Sequence, residues 1–303
     1  MKRFRGIYAI LTTPFREDLS LDEPSLKRMV NFCVAAGSHG IVVPVNASEY
    51  TSLSDEERKT LVRWAVETCA GRIPVIAGVA GVSIPVAVDF ARHARQAGAD
   101  GVIAMPPYIN KASRPERLEY YQRIAEAADL PVFIQNYNEP IGTALSAEEC
   151  VDIVQKVEHV RYIKEETTFS SHTLTKIEEL AVPLPSGKYL GTMGGKAGKY
   201  LIDEYRRGCC GNMPACEVVD IQVRIWNLLE QGREAEAAAV FNRVLPLLNF
   251  EAMYGSALYK ALLKRRGIID CARVRQMGGR NLDTLDLVEL DRIYAEIESL
   301  FTV

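Results

Sequence analysis

Short apolar runs alternate eight times with amphipathic stretches along this 303-residue chain, and that alternation constrains its fold more than any other feature. The runs cover residues 7–11, 40–45, 74–78, 101–105, 132–136, 162–166, 183–186 and 209–213, each of buried-strand length. Between them, residues 22–36, 54–69, 83–97, 114–128, 146–157, 170–180 and 194–207 carry helical spacing. Ser54-Asp55-Glu56-Glu57 and Ser146-Ala147-Glu148-Glu149 each place a glutamate three residues after a serine, the capping box that opens a helix. Gly37 and Gly98 follow helical patterns at the position where a left-handed residue ends a helix. Strands that alternate with helices build a parallel sheet, and eight of them close it. A doubly wound open sheet is the rival, but Thr12-Thr13-Pro14-Phe15 stands where its glycine-rich first turn belongs. The expected fold is therefore an α/β, (β/α)8 TIM barrel over residues 1–225. Residues 226–303 form a helical C-terminal extension of the same domain, with helix patterns at 233–241, 257–266 and 286–301.

Composition narrows the class of function. Hydrophobic residues make up 48% and charged residues 25%, as in a soluble globular protein. A net charge of −3 attracts neither nucleic acid nor an anionic membrane. No run approaches the roughly 20 apolar residues of a membrane-spanning helix. Met1-Lys2-Arg3-Phe4-Arg5-Gly6 is basic but leads into a strand, not into a signal sequence. The cysteines number seven, an odd and scattered set that fits reduced thiols and a cytoplasmic location. Cys209, Cys210 and Cys216 lack the paired spacing of a zinc site, and His39, His93, His159 and His172 are far apart. Neither a metal nor a cofactor is expected.

Loops at the C-terminal ends of barrel strands carry the chemistry in this architecture. Lys164 lies near such an end, in Val160-Arg161-Tyr162-Ile163-Lys164-Glu165-Glu166. A lysine packed in a strand-built core loses hydration, which favours the free amine that attacks a ketone. The alternative is a strand-end lysine that reaches solvent or pairs with Glu165 or Glu166. Side chains alternate along a strand, so Lys164 and Glu166 share one side and Glu165 takes the other. Glu166 is thus a candidate proton shuttle, or a salt bridge that merely holds the lysine. After the second strand candidate, Asn46, Ala47 and Ser48 can gather backbone amides around a carboxylate, or simply cap their own helix. Gln135 and Tyr108, at the ends of the fifth and fourth strand candidates, are counted with the catalytic residues as groups that would orient substrate, and Tyr137 with the substrate-binding residues. Gly187 follows the seventh and is counted with the substrate-binding residues.

Four segments together carry a resemblance to a known family: Ala9-Ile10-Leu11-Thr12-Thr13-Pro14-Phe15, Pro74-Val75-Ile76-Ala77-Gly78-Val79, Pro106-Pro107-Tyr108 and Ile163-Lys164-Glu165. Over nearly its full length the chain resembles the dihydrodipicolinate synthase / N-acetylneuraminate lyase family of Schiff-base aldolases and dehydratases. The resemblance implies a (β/α)8 barrel, Lys164 as the Schiff-base lysine, a small-molecule 2-keto acid as substrate, and a homotetramer or homodimer.

Departures from the family pattern shape the functional expectation. Val45-Asn46-Ala47-Ser48-Glu49 replaces the usual Gly-(Thr/Ser)-Thr-Gly-Glu loop, and Gln135 stands where the family carries its catalytic tyrosine. Glutamine cannot shuttle a proton as a phenol does. Pro140 replaces the arginine of the synthase branch, and Ile109 the second of two paired tyrosines. Glu166 puts a carboxylate where the family commonly has a small residue. Segments 194–204 and 207–215 resemble sugar-acid dehydratases of the family, including 2-keto-3-deoxyarabonate dehydratases. The expected activity is dehydration of a 2-keto-3-deoxy sugar acid through an imine on Lys164. A pyruvate-dependent aldolase, a synthase-like condensation and a non-catalytic keto-acid binding protein are the alternatives.

Overall fold

A computed structural model describes residues 3–137, 144–278 and 281–303. Eight parallel strands close into a barrel in sequence order: β1 (Gly6–Ile10), β2 (Gly40–Val43), β3 (Val75–Gly78), β4 (Gly101–Ala104), β5 (Val132–Tyr137), β6 (Val160–Glu166), β7 (Gly191–Gly194) and β8 (Gly211–Asn212). The helices between and after them are α1 (Glu23–Ala35), α2 (Asp55–Cys69), α3 (Ile84–Ala97), α4 (Arg114–Ala128), α5 (Ala147–Lys156), α6 (Ser170–Ala181), α7 (Leu201–Arg206) and α8 (Val219–Glu230). Both expected capping boxes form: Ser54 Oγ accepts from the Glu57 amide at 3.2 Å, and Ser146 Oγ from the Glu149 amide at 3.2 Å. Gly37 and Gly98 adopt the expected left-handed conformation, with φ of 75° and 87°.

One strand, one helix and one boundary differ from the sequence expectation. The seventh is Gly191–Gly194, not residues 183–186, where two prolines lack the amides that a central strand must donate. Gly191-Thr192-Met193-Gly194 hides its strand behind two glycines, yet each has a reason. A Cβ on Gly191 would lie 2.6 Å from Cys210 Sγ, and one on Gly194 would lie 1.8 Å from a Glu204 carboxylate oxygen. The helix expected over 194–207 shrinks accordingly to α7. The boundary expected at residues 225 and 226 falls inside α8, which packs on β1 as the barrel's eighth helix.

Inside the barrel the side chains stack in layers. Phe133 and Tyr162 lie face to face with ring centroids 4.4 Å apart, and Phe4 and Tyr8 complete an aromatic floor. The Phe4 amide donates to the Tyr162 hydroxyl at 3.0 Å, satisfying a phenol that would otherwise be buried unpaired. Above that floor β5 and β6 run in register, Gln135 beside Lys164 and Tyr137 beside Glu166.

Beyond the barrel, α9 (Glu234–Tyr254), α10 (Ser256–Arg265) and α11 (Thr284–Ile297) follow. α10 is pinned to the β2 loop by a fully buried ion pair between its Lys260 and Glu49. Glu49 also accepts the amides of Arg275 and Gln276, each at 2.8 Å, and Lys260 Nζ donates to the Arg273 carbonyl at 2.8 Å. Among the described residues no helix is long and apolar enough to cross a membrane.

Removing one partner of a buried pair leaves the other charge stranded. Lys260→Met is expected to cost about 3–5 kcal/mol, read as a lower urea midpoint. Adding Glu49→Gln should restore part of that loss, whereas full additivity of the two substitutions would show that the pair is not coupled.

Candidate active site

The C-terminal ends of the strands open into a cavity of about 860 Å³. From the barrel it takes Ile10, Lys164, Glu166 and Tyr137, and from the β2 loop Asn46 and Ala47. The end of α9, the start of α10 and residues 276–278 supply the opposite wall.

Lys164 is only 2% exposed, and its Nζ lies 2.8 Å from Glu166 Oε2. Burial is as the sequence led one to expect, but the neighbour is a carboxylate. Glu166 is held at both oxygens. Oε2 accepts from Gln135 Nε2 at 2.9 Å as well as from Lys164, and Oε1 accepts from the Lys196 amide at 3.1 Å. That last contact needs Gly195, because a Cβ there would lie 2.3 Å from Glu166 Oε1.

Glu165 faces the other side of β6, as alternation requires, and binds Asn136 Nδ2 at 2.7 Å and the Thr167 amide at 2.7 Å. Asn136 in turn holds the Leu145 backbone, accepting its amide at 2.8 Å. Burial raises the Glu165 carboxyl to about 7, against the pull of these hydrogen bonds. Glu204 sits behind the paired glycines of β7, with Asn212 Nδ2 at 2.9 Å. Burial lifts it to about 8, and the nearby Glu166 charge pushes the same way.

Of the residues expected at the site, Lys164, Glu166, Asn46, Ala47 and Tyr137 come together in the cavity wall. The others are placed differently. Gln135 donates to Glu166 and lies outside the cavity wall. Ser48 is fully buried, and its hydroxyl donates to the Leu11 carbonyl at 2.5 Å while accepting the Val45 amide at 3.1 Å. Its amide closes the turn onto Val45 at 2.8 Å, so Ser48 has no group left for a ligand. Tyr108 packs edge-on against Tyr50 with centroids 5.9 Å apart, outside the cavity wall. Gly187 precedes β7, at the opposite end of the barrel, where its carbonyl accepts from Arg161. The misplacement of the seventh strand accounts for that error. Pro140 lies outside the described residues.

Sequence reasoning missed Gly195, Lys196, Lys199, Glu251 and Tyr259. The Gly194-Gly195 pair was a usable signal, since adjacent glycines mark close backbone approach. Glu251 had no local signal, being one acid in a long helix of the extension.

The profile of the dihydrodipicolinate synthetase family matches residues 3–277. An L-2-keto-3-deoxyarabonate dehydratase of Azospirillum brasilense is 34% identical over 277 residues, covering 90% of this chain and 88% of that protein. A 4-hydroxy-tetrahydrodipicolinate synthase of Gluconacetobacter diazotrophicus is 41% identical over 133 residues, which is 44% of this chain and 45% of that one. Among solved structures, a putative dihydrodipicolinate synthetase from Pseudomonas aeruginosa superposes with a TM-score of 0.89 at 26% identity, covering 97% of this chain and 99% of that one. YagE of E. coli K12, solved in complex with pyruvate, shares the fold with a TM-score of 0.89 at 22% identity, covering 97% and 99% of the two chains.

A carboxyl raised on folding stabilises the native state at low pH, and that contribution is lost as pH rises through the folded value. For Glu204 the loss spans the interval from the ordinary carboxylate range up to about 8. Glu204→Gln should therefore raise the thermal midpoint above pH 8 and leave it unchanged near pH 5. A uniform shift at both pH values would contradict the assignment.

Proposed function

Because the chain belongs to the dihydrodipicolinate synthetase family, a family of class I lyases, we propose that Lys164 forms an imine with a 2-keto acid and that the enzyme dehydrates a 2-keto-3-deoxy sugar acid. The observation that carries this reading is the Glu166 carboxylate, 2.8 Å from the amine and fixed by Gln135 and the Lys196 amide. The Azospirillum dehydratase, similar over 90% of this chain, supports the same substrate class.

The chemistry follows from the positions. Lys164 passes its proton to Glu166 and attacks the C2 carbonyl; Glu166 returns that proton to the carbinolamine hydroxyl, which leaves as water, so that the iminium forms and Glu166 is a carboxylate again. The C1 carboxylate is held by the Asn46 side chain with the backbone amides of Asn46 and Ala47, the first residues of a single turn. The iminium acidifies C3, and Glu166, one strand pleat from the nitrogen, removes that proton. Departure of the C4 hydroxyl then leaves the unsaturated iminium, which hydrolysis releases from Lys164. No metal or cofactor enters these steps. Tyr137 flanks the substrate from the strand beside Glu166. Aldol cleavage is the second reading, favoured by the fact that the same imine and base would serve it. The reading includes a dimer or tetramer and a cytoplasmic location, in keeping with seven buried free cysteines.

Borohydride reduction in the presence of pyruvate should leave a single mass adduct on Lys164, absent in Lys164→Ala. An adduct elsewhere, or none, would end the proposal. Glu166→Gln should keep the adduct and slow exchange of the pyruvate methyl protons with deuterium by about 10²–10⁴-fold. Unchanged exchange would remove Glu166 as the base. With C5 and C6 keto-deoxy acids the carbon skeleton should stay whole, whereas release of pyruvate plus an aldehyde would favour aldol cleavage.

A further inference from the structure

Glu251 lies near the C-terminal end of α9, is 1% exposed, and walls the cavity that holds Lys164 and Glu166. Among the described residues no donor reaches either of its carboxylate oxygens, and none reaches Glu217 Oε2, in a side chain equally buried. Glu217 belongs to the turn that leads into α8, and its carboxyl meets that of Glu251 within hydrogen-bonding reach. Two carboxylates cannot share such a contact, but one proton between them converts repulsion into a hydrogen bond. Burial pushes Glu251 well above the usual carboxylate range, the charge of Glu217 adds to this, and Lys199 pulls weakly the other way. Burial also raises Glu217, against its hydrogen bond to Glu251 and the charge of Arg266, with Asp220 pushing upward. Tyr259 of α10 lines the same cavity within electrostatic reach of Glu251 and Glu217, and also of Glu166.

An acid buried without donors is costly unless it keeps its proton. Nothing else on α9 uses this one, and the reaction needs an acid that Gln135 cannot be. We propose that Glu251, positioned by Glu217, delivers the proton to the hydroxyl that leaves C4. This rests on the dehydration reading above. Glu166 takes the C3 proton, and the electrons of that bond form the C2–C3 double bond of the enamine. Those electrons shift to C3–C4 as the C4–O bond breaks, and the oxygen takes the Glu251 proton to depart as water. Glu251 remains as a carboxylate until the proton on Glu166 returns to it through solvent, so no proton is gained or lost overall.

The test compares elimination of water from a 4-hydroxy 2-keto acid with elimination of fluoride from its 4-fluoro analogue. Fluoride leaves without being protonated. Glu251→Gln should slow loss of water by about 10²-fold or more, while loss of fluoride and deuterium exchange into pyruvate change little. Pyruvate exchange also reports that the variant has folded and still forms its imine. Glu217→Gln removes the charge that raises Glu251, so it should move the alkaline limb of the dehydration profile to lower pH. Equal slowing of both eliminations, or an unmoved pH profile in Glu217→Gln, would overturn the assignment. Wild-type enzyme that exchanges pyruvate protons but eliminates neither group would sink the dehydration reading, and this proposal with it.

Discussion

Placing the Lys164 ammonium beside the Glu166 carboxylate, 2% and 6% exposed, strips water from two charges at once. Their attraction at 2.8 Å offsets that cost only because the remaining lone pairs are met by fixed donors. The barrel provides those donors from either side of the strand that holds the pair. β5 contributes Gln135, and β6 carries the pair itself. The turn after β7 brings in the Lys196 amide, admitted by a glycine at 195. The closed parallel register sets Gln135 level with Lys164 and Met193, so the site is a product of barrel closure and not of one loop.

That arrangement gives physical meaning to the departures from the family pattern. A tyrosine in place of Gln135 would bring a hydroxyl to the imine, but a single donor is all it could offer Glu166. The amide holds the carboxylate from one side while the Lys196 backbone holds it from the other. Glu166 and Gln135 are therefore bound to each other, two departures from the family pattern that occur as a hydrogen-bonded pair. Glu204 and Glu165 back this pair from outside the barrel wall, each raised by burial to about 8 and about 7.

The barrel was legible because hydrophobic periodicity and cap chemistry depend on local sequence. The capping serines at 54 and 146 and the left-handed glycines at 37 and 98 fall where they were expected. β7 was not legible, since its glycines answer to Cys210 and Glu204, contacts remote in sequence. Lys164 and Glu166 were found through strand alternation, which is also local. Ser48 was misassigned because a hydroxyl in a loop looks available until its backbone partners, Leu11 and Val45, are seen. The far wall of the cavity, with Glu251 and Tyr259, could not be read ahead, because it forms only when the extension folds back over the strand ends.

The most direct measurement of the central claim is a crystal structure of the enzyme reduced with borohydride in the presence of pyruvate. The account predicts continuous density from Lys164 Nζ to C2, the pyruvate carboxylate against Asn46 and Ala47, and C3 facing a Glu166 oxygen. Density ending at an unmodified Lys164, or C3 turned away from Glu166, would contradict it.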